Sequence, residues 1–210
     1  MILVIGLGNP GTEYERTRHN AGFLVLDELA KQCDCAWKLQ KKLQAEVVPL
    51  REIPRRGTKN PEMILAKPQT FMNLSGISVQ AILKHYSLLT TNYSLVIVHD
   101  DVDLPLGTIR VSHNASSGGH KGVQSIIDHL GTKEFWRIRV GIRPNYPASA
   151  GPRLGGGKLQ TTNYKLDTPD FVLKKFSAEE KKKLPEILKT AAQLTQDFLE
   201  EKQKVQTIHL

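Results

Sequence analysis

The chain has 210 residues, of which 40% are hydrophobic and 24% charged, with a formal net charge of +8 and a mean hydropathy of −0.31. This length suits one domain, and the sequence has no apolar run of about 20 residues, which excludes an integral membrane protein. The N-terminal segment lacks the basic head and cleavage site of an export signal, so we expect a cytosolic protein and, by default, a monomer.

Short β-rich runs alternate with helical patterns, which predicts one α/β domain over residues 1–210, with a mixed, twisted central sheet flanked by helices. The predicted strands cover residues 2–6, 45–50, 63–67, 95–99, 108–112 and 136–142. Apolar residues at helical spacing predict helices over residues 22–32, 75–86 and 121–130.

The C-terminal part combines a loop and a helical region. Residues 144–167 contain four Gly and three Pro without apolar periodicity, which predicts a long surface loop. Ser177 and Glu180 form a capping box, in which each side chain bonds a free backbone amide at a helix start. Because proline disrupts a helix interior, we expect a short turn as far as Leu184 and a new helix from Pro185 to about Lys202.

The positive charge is concentrated in the middle of the chain. Residues 107–165 carry nine Lys and Arg against two Asp and Glu, which accounts for +7 of the total of +8. Such a block suggests a polyanionic partner, and a solvated basic face without a partner is the alternative. The two cysteines, Cys33 and Cys35, lack the spacing of a disulfide scaffold, a redox pair or a zinc site.

A glycine-rich motif, Gly6-Leu-Gly-Asn-Pro-Gly11, follows the first predicted strand. Its spacing matches the G-x-G-x-x-G motif that binds a pyrophosphate at a helix N-terminus. Here the next predicted helix begins only near Gly22, and no strand ending in an acidic residue follows at the required distance. We therefore favour a tight turn that exposes Asn9 and keep a dinucleotide site as the alternative.

His19 lies in a polar stretch just before a predicted helix, and the chain has no G-x-S-x-G nucleophile motif. If the chemistry is hydrolysis, His19 is the economical base, because neutral imidazole accepts a proton from water near pH 7. Such a base needs a carboxylate that holds its tautomer.

An acidic turn after the strand 95–99 offers that carboxylate. Ligand sites of open α/β sheets gather at the carboxyl ends of strands, where Asp100 and Asp101 fall. With His99 and Asp103, these residues form a set that also suits a divalent cation. An ordinary polar turn is the third possibility, and spacing does not decide among the three.

Two further motifs each precede a predicted helix. In Lys67-Pro-Gln-Thr-Phe-Met-Asn-Leu-Ser-Gly76, Ser75 is the expected N-cap, whereas Phe71 and Met72 suit packing of a base or an ester-bearing end while Asn73 donates hydrogen bonds. In the glycine-rich run 114–122, backbone amides and Lys121 suit a phosphate or a carbonyl.

Together these motifs resemble the bacterial-type peptidyl-tRNA hydrolase family over nearly the whole chain. The matching motifs are GLGNPG with Tyr14, TRHNAG across His19, TFMNLSG across Asn73, HDDVDLP across Asp100, SGGHKG across His120 and RIRVGI across Arg139. The resemblance implies a single α/β domain that hydrolyses the ester between a stalled peptide and the terminal ribose of tRNA, without metal or cofactor.

The resemblance also implies roles for individual residues. His19 would be the base for water, Asp100 would hold it in its basic form, and Asn9 would distinguish blocked from free aminoacyl ends. Arg139 matches a position proposed to hold the tRNA 5′-phosphate. The residues that would contact the tRNA end or the peptide are Tyr14, Phe71 and Asn73, with Met72 packing beside them.

The chain departs from the family pattern at two positions. Lys121 stands where many members have Asn, so an ionic contact is expected there in place of an amide hydrogen bond. Ser112 stands where a second phosphate-binding Lys is often found, and we expect Arg110, two residues earlier on the same strand face, to substitute for it. In the loop 144–167, Arg153, Lys158 and Lys165 would extend contact with acceptor-stem phosphates.

Two other functions compete with this esterase. One is a non-catalytic RNA-binding module that retains the basic groove, and the other is a nucleotide-dependent oxidoreductase that uses the glycine-rich motif. Loss of cleavage without loss of tRNA binding in a His19→Ala variant would distinguish the enzyme from the binding module.

Overall fold

A computed structural model describes residues 1–48, 63–88, 93–144, 168–197 and 205–210. The strands are β1 (Ile2–Gly6), β2 (Lys38–Gln40), β3 (Ala45–Val48), β4 (Met63–Pro68), β5 (Ser94–Pro105), β6 (Thr108–His113), β7 (Trp136–Arg143) and β8 (Gln206–His209). They form one sheet in the order β2-β3-β4-β1-β5-β7-β6-β8.

The sheet is parallel in its centre and antiparallel at both sides. Strands β4, β1, β5 and β7 run parallel, whereas β2 and β3 on one side, and β6 and β8 on the other, are antiparallel to their neighbours. Central parallel strands are covered on both faces, which explains why Leu3–Ile5 and Leu95–Val98 are apolar without alternation. This mixed α/β sheet confirms the predicted fold class.

Helices cover both faces of the sheet. They are α1 (Ala21–Gln32), α2 (Ser75–His85), α3 (Lys121–Leu130), α4 (Thr168–Val172) and α5 (Ala178–Asp197). Helices α1 and α5 pack with one apolar cluster, and α2 and α3 pack with a second cluster on the opposite face. Within the described ranges, none of these helices combines the length and apolar character needed to cross a bilayer.

Glycines bring α1 unusually close to the sheet. A Cβ on Gly22 would lie 2.3 Å from the carbonyl oxygen of Val98, and a Cβ on Gly8 would lie 2.6 Å from the Phe23 ring. Only glycine permits such approaches. The glycine-rich motif after β1 therefore allows close helix packing, which places His19, just before α1, beside the carboxyl end of β5.

The expectation of a helix break at Pro185 is wrong. Helix α5 runs without interruption from Ala178 to Asp197, with Pro185 inside it. Pro185 and Lys181 are exposed, so the Lys181 carbonyl that the proline leaves unbonded can bind water. A helix-interior proline costs about 3 kcal/mol. Burial of Ile187 and Leu194 further along the same helix contributes about 1.5–3 kcal/mol each and offsets this cost.

The acidic turn expected after residue 99 is also wrong, because β5 continues to Pro105. Pairing with β7 extends through Asp100 and Asp101, and a register shift follows before Pro105. Ser75 is the first residue of α2 and makes no N-cap bond; its hydroxyl donates to the Met72 carbonyl at 2.8 Å. Local composition did not predict the length of β5, because pairing with β7 extends this strand. It did not predict the role of Ser75, because the hydroxyl bonds a carbonyl of the preceding turn.

The short elements β2, β8 and α4 were not predicted from the sequence pattern. Strand β8 pairs with β6 and closes that edge of the sheet. The ends of two predictions, residues 49–50 of a strand and residues 198–202 of a helix, lie outside the described residues, as does nearly all of the predicted loop, residues 145–167.

Candidate active site

A cleft of about 1050 Å³ opens at the carboxyl ends of the central strands. Asn9 follows β1, Asp100 lies in β5, and Phe71, Met72 and Asn73 follow β4. Ligands of parallel α/β sheets bind at this edge. Of the predicted site residues, the cleft is lined by Asn9, His19, Phe71, Met72, Asn73, Asp100, Lys121 and Arg139.

The Asn9 side chain is held with its amide nitrogen unused. The backbone amide of Asn9 donates to Asn20 Oδ1 at 2.9 Å, and Asn20 Nδ2 donates back to the Asn9 carbonyl at 2.9 Å. The Met72 backbone amide donates to Asn9 Oδ1 at 2.8 Å. Asn9 Nδ2 makes no hydrogen bond within the part of the chain that the structure describes, so it remains a donor for a ligand in the cleft.

Two imidazoles share one buried carboxylate at the floor of the cleft. Asp100 Oδ1 lies 2.9 Å from His19 Nδ1 and 3.0 Å from His120 Nε2, and the residue is 2% exposed. The two rings are 5.0 Å apart between centroids. His19 and Asp100 are 81 positions apart in the chain, and the fold brings them into contact as predicted.

Hydrogen bonding determines the protonation of this group. The Val123 backbone amide donates to His120 Nδ1 at 3.3 Å, so the hydrogen bond from His120 to Asp100 is donated by Nε2. Burial raises the pKa of Asp100, but electrostatic attraction and hydrogen bonds from the two imidazoles outweigh burial and hold this pKa well below its usual range. The ionised Asp100 accepts a hydrogen bond from His19 Nδ1, so the other ring nitrogen, Nε2, is not used in the contact with Asp100.

A third imidazole, His99, contacts both Asp100 and His120. His99 Nδ1 donates to the Asp100 carbonyl at 2.7 Å, and its ring lies 4.6 Å from that of His120. His99 Nε2 is buried and makes no hydrogen bond among the described residues. Burial, reinforced by His120, lowers the pKa of His99 well below its usual value, so this ring is neutral.

The cation site considered for the acidic run does not form around its three carboxylates. Asp101 Oδ2 accepts from Arg139 Nε at 2.5 Å, and Asp101 Oδ1 accepts from the Asp103 amide. Asp103 itself is exposed. Among the described residues, the set that converges closely enough to hold a metal is His19, Asp100 and His120. In this set, both imidazoles already form hydrogen bonds with Asp100 Oδ1.

The apolar residues that line the cleft, which we call the apolar wall, are Phe71, Met72, Val172 and Leu173. Met72 is buried, whereas the Phe71 side chain is 54% exposed at the mouth. Tyr14 is not among the lining residues but packs edge-on against Phe71, with centroids 6.3 Å apart. Such a surface suits contact with a base or an apolar chain.

The basic residues that line the cleft, which we call the basic wall, are Lys121, Arg137 and Arg139. Arg137 Nη1 donates to the Ser116 carbonyl at 2.7 Å, and its buried Nε makes no hydrogen bond within the described ranges. Arg110 pairs across from Arg139 in the sheet, but it bonds Thr207 at 3.2 Å and does not line the cleft.

Three positions at the cleft were not among the predicted site residues: Asn20, which bonds Asn9; His120, which shares Asp100; and Arg137. All three lie in motifs that carry the family resemblance, TRHNAG, SGGHKG and RIRVGI, so those motifs were the signal that could have found them. His120 is also the N-cap of α3.

The family model for peptidyl-tRNA hydrolase matches residues 3–209. The chain belongs to this family. It is 41% identical over 193 residues to a peptidyl-tRNA hydrolase from Thermodesulfovibrio yellowstonii, covering 92% of this chain and 89% of the relative. It is 40% identical over 190 residues to one from Aquifex aeolicus, covering 90% and 85%.

Solved structures of the family share the fold. The crystal structure of peptidyl-tRNA hydrolase from Acinetobacter baumannii is 29% identical, with a TM-score of 0.71, and the match covers 96% of this chain and 91% of that chain. The family resemblance read from the motifs is therefore confirmed, and it removes the need for the dinucleotide interpretation of the glycine-rich motif.

Proposed function

We propose that this protein hydrolyses the ester between the peptide and the terminal ribose of peptidyl-tRNA, using water activated by His19. The observation that carries the proposal is the 2.9 Å contact between His19 Nδ1 and Asp100 Oδ1 at the floor of the cleft, in a chain of this family. We place the reaction in the cytosol, where translation produces the substrate, and expect a monomer.

In the proposed reaction, His19 Nε2 takes a proton from water while the water oxygen attacks the ester carbonyl. The carbonyl oxygen becomes an oxyanion in a tetrahedral intermediate. The C–O bond to the ribose then breaks, the ribose oxygen receives the proton from the His19 imidazolium, and a free peptide carboxyl remains. Asp100 stabilises the imidazolium and keeps the productive tautomer throughout.

The amides of Asn9 and Asn73 are the proposed donors to the substrate. Asn9 Oδ1 is engaged by Met72, so only Asn9 Nδ2 faces the ligand, and an N–H group stabilises an oxyanion or a peptide carbonyl. A free aminoacyl end would present a charged ammonium, which offers no acceptor to this nitrogen. This polarity explains selection of blocked over free ends.

The two walls of the cleft divide the substrate between them. We assign the peptide and the terminal base to Tyr14, Phe71 and Met72, and the tRNA phosphates to Lys121 and Arg139. Arg110 extends the same sheet face beyond Arg139 and would meet a phosphate outside the cleft. Ser112 pairs across from Arg137, which offers a second cation near that position.

The test compares turnover of an N-acetylated aminoacyl-tRNA with that of its unblocked counterpart. The wild-type protein is expected to cleave only the blocked substrate at an appreciable rate. A His19→Ala variant should lose about 10³-fold or more in kcat while its affinity for tRNA stays within about twofold. Equal turnover by the variant contradicts His19 as the base, and tRNA binding without wild-type turnover indicates a binding module.

A further inference from the structure

The buried Arg18 side chain is tied to the C-terminal segment of the chain. Arg18 Nη2 donates to Glu180 Oε2 at 2.6 Å, and Nη1 donates to the carbonyls of Lys174 and Lys175 at 3.2 and 2.8 Å. The guanidinium also lies over the rings of Phe171 and Phe176, at 4.5 and 5.3 Å from their centroids.

The same segment forms part of the apolar wall. Val172 and Leu173 line the cleft, and the next residue, Lys174, accepts hydrogen bonds from both the backbone amide and the side chain of Arg18. At the far end, Glu180 belongs to the capping box that starts α5, since its Oε2 also accepts from the Ser177 amide at 2.6 Å. Arg18 therefore contacts the chain on both sides of Leu173, at the Phe171 ring before it and at the Lys174 carbonyl after it.

His19 follows Arg18 directly in the chain, but other hydrogen bonds hold the His19 side chain in place. The bond to Asp100 and the paired bonds between Asn20 and Asn9 hold this region from the sheet side. Loss of the Arg18 side chain therefore leaves the Val172–Leu173 segment held at this point by backbone contacts, such as the bond from the Arg18 amide to the Lys174 carbonyl, while His19 and Asp100 stay in contact.

We propose that Arg18, acting with Glu180, is a positioning residue that sets the distance between the Val172–Leu173 part of the apolar wall and His19. The proposal rests on the proposed function, because the wall is taken to contact the peptidyl end of the substrate. Arg18 does not touch the substrate; it determines how well the cleft encloses it.

The experiment measures kcat and KM for an N-acetylated aminoacyl-tRNA in Arg18→Met and Glu180→Gln variants. Because the wall contributes binding and not chemistry, Arg18→Met should raise KM about tenfold and change kcat by less than about twofold. Glu180→Gln keeps an acceptor for Arg18 and should raise KM about threefold by the same mechanism. If Arg18→Met does not fold, Glu180→Gln carries the test alone.

The matched control is Glu179→Gln, which removes a carboxylate one position away whose bond to Lys182 at 2.7 Å is exposed. This variant should behave as wild type. If the role of Arg18 is purely structural, the variants lose folded protein, so apparent kcat falls while KM stays unchanged. A lower kcat at unchanged KM therefore overturns the proposal. An equal rise of KM in the control also overturns it. Failure of the wild-type protein to cleave would instead reject the proposed function.

Discussion

The floor of the cleft and its basic wall differ in how many hydrogen bonds their charged groups form within the protein. At the floor, Asp100 accepts from two imidazoles and both nitrogens of His120 are bonded. On the wall, the buried Arg137 has a carbonyl partner for one nitrogen, and its Nε has none among the described residues. The floor is therefore preorganised by hydrogen bonds within the protein, whereas the wall keeps a buried cation that is only partly bonded.

The largest effect is expected from disturbing the floor. An Asp100→Asn variant replaces a carboxylate with an amide that favours the wrong His19 tautomer, so kcat should fall by about 10³–10⁴-fold. Affinity for tRNA should stay within about twofold, because the basic wall is untouched. Single-turnover kinetics and a tRNA-binding titration check both values. A comparable loss of affinity would show that Asp100 contributes to tRNA binding as well as to the chemical step.

Acid should weaken the floor through His99. The pKa of His99 is lowered in the folded state, mainly by burial, so the unfolded chain binds the proton more readily. Stability is therefore fully present above the unfolded pKa of about 6.5 and falls below it, by up to about 1.4 kcal/mol per pH unit. Urea unfolding between pH 7 and pH 5 measures this slope.

A His99→Asn variant is the control for that pH dependence, because its amide can still donate toward the Asp100 carbonyl and does not titrate. We expect a flatter dependence of the unfolding free energy on pH in this variant. Identical slopes in the two proteins would assign the titration to another group.

The smallest effect is expected from the basic wall. Arg139→Gln removes one cation but leaves an amide that can donate to Asp101, so KM for tRNA substrates should rise about tenfold and the salt dependence of binding should lose about one unit of slope. A Lys133→Gln variant, which removes an exposed charge of the same basic segment outside the cleft, should change neither. Unchanged salt dependence in Arg139→Gln would remove the phosphate contact at this wall.

Prediction from the sequence worked best where local pattern and burial agree. Strand β1 is an uninterrupted apolar run, and α1, α2 and α3 have apolar residues at helical spacing. The bounds of these four elements therefore differ from expectation by at most one residue. It failed where tertiary contacts outweigh local preference. Pro185 lies inside α5 because the helix buries an apolar face, and Asp100 lies in a strand because β7 pairs with it.

By itself, the sequence determined the fold class and the family, because motifs in the right order and apolar periodicity are local properties of the chain. Through the family resemblance it also pointed to His19 and Asp100 as partners. Only the tertiary structure decided that His120 shares Asp100, that Arg137 lines the cleft while Arg110 does not, and that Arg18 bonds Glu180. These contacts join residues 20 to 162 positions apart. Side chains so distant meet only through helix packing and strand order, which no local pattern records.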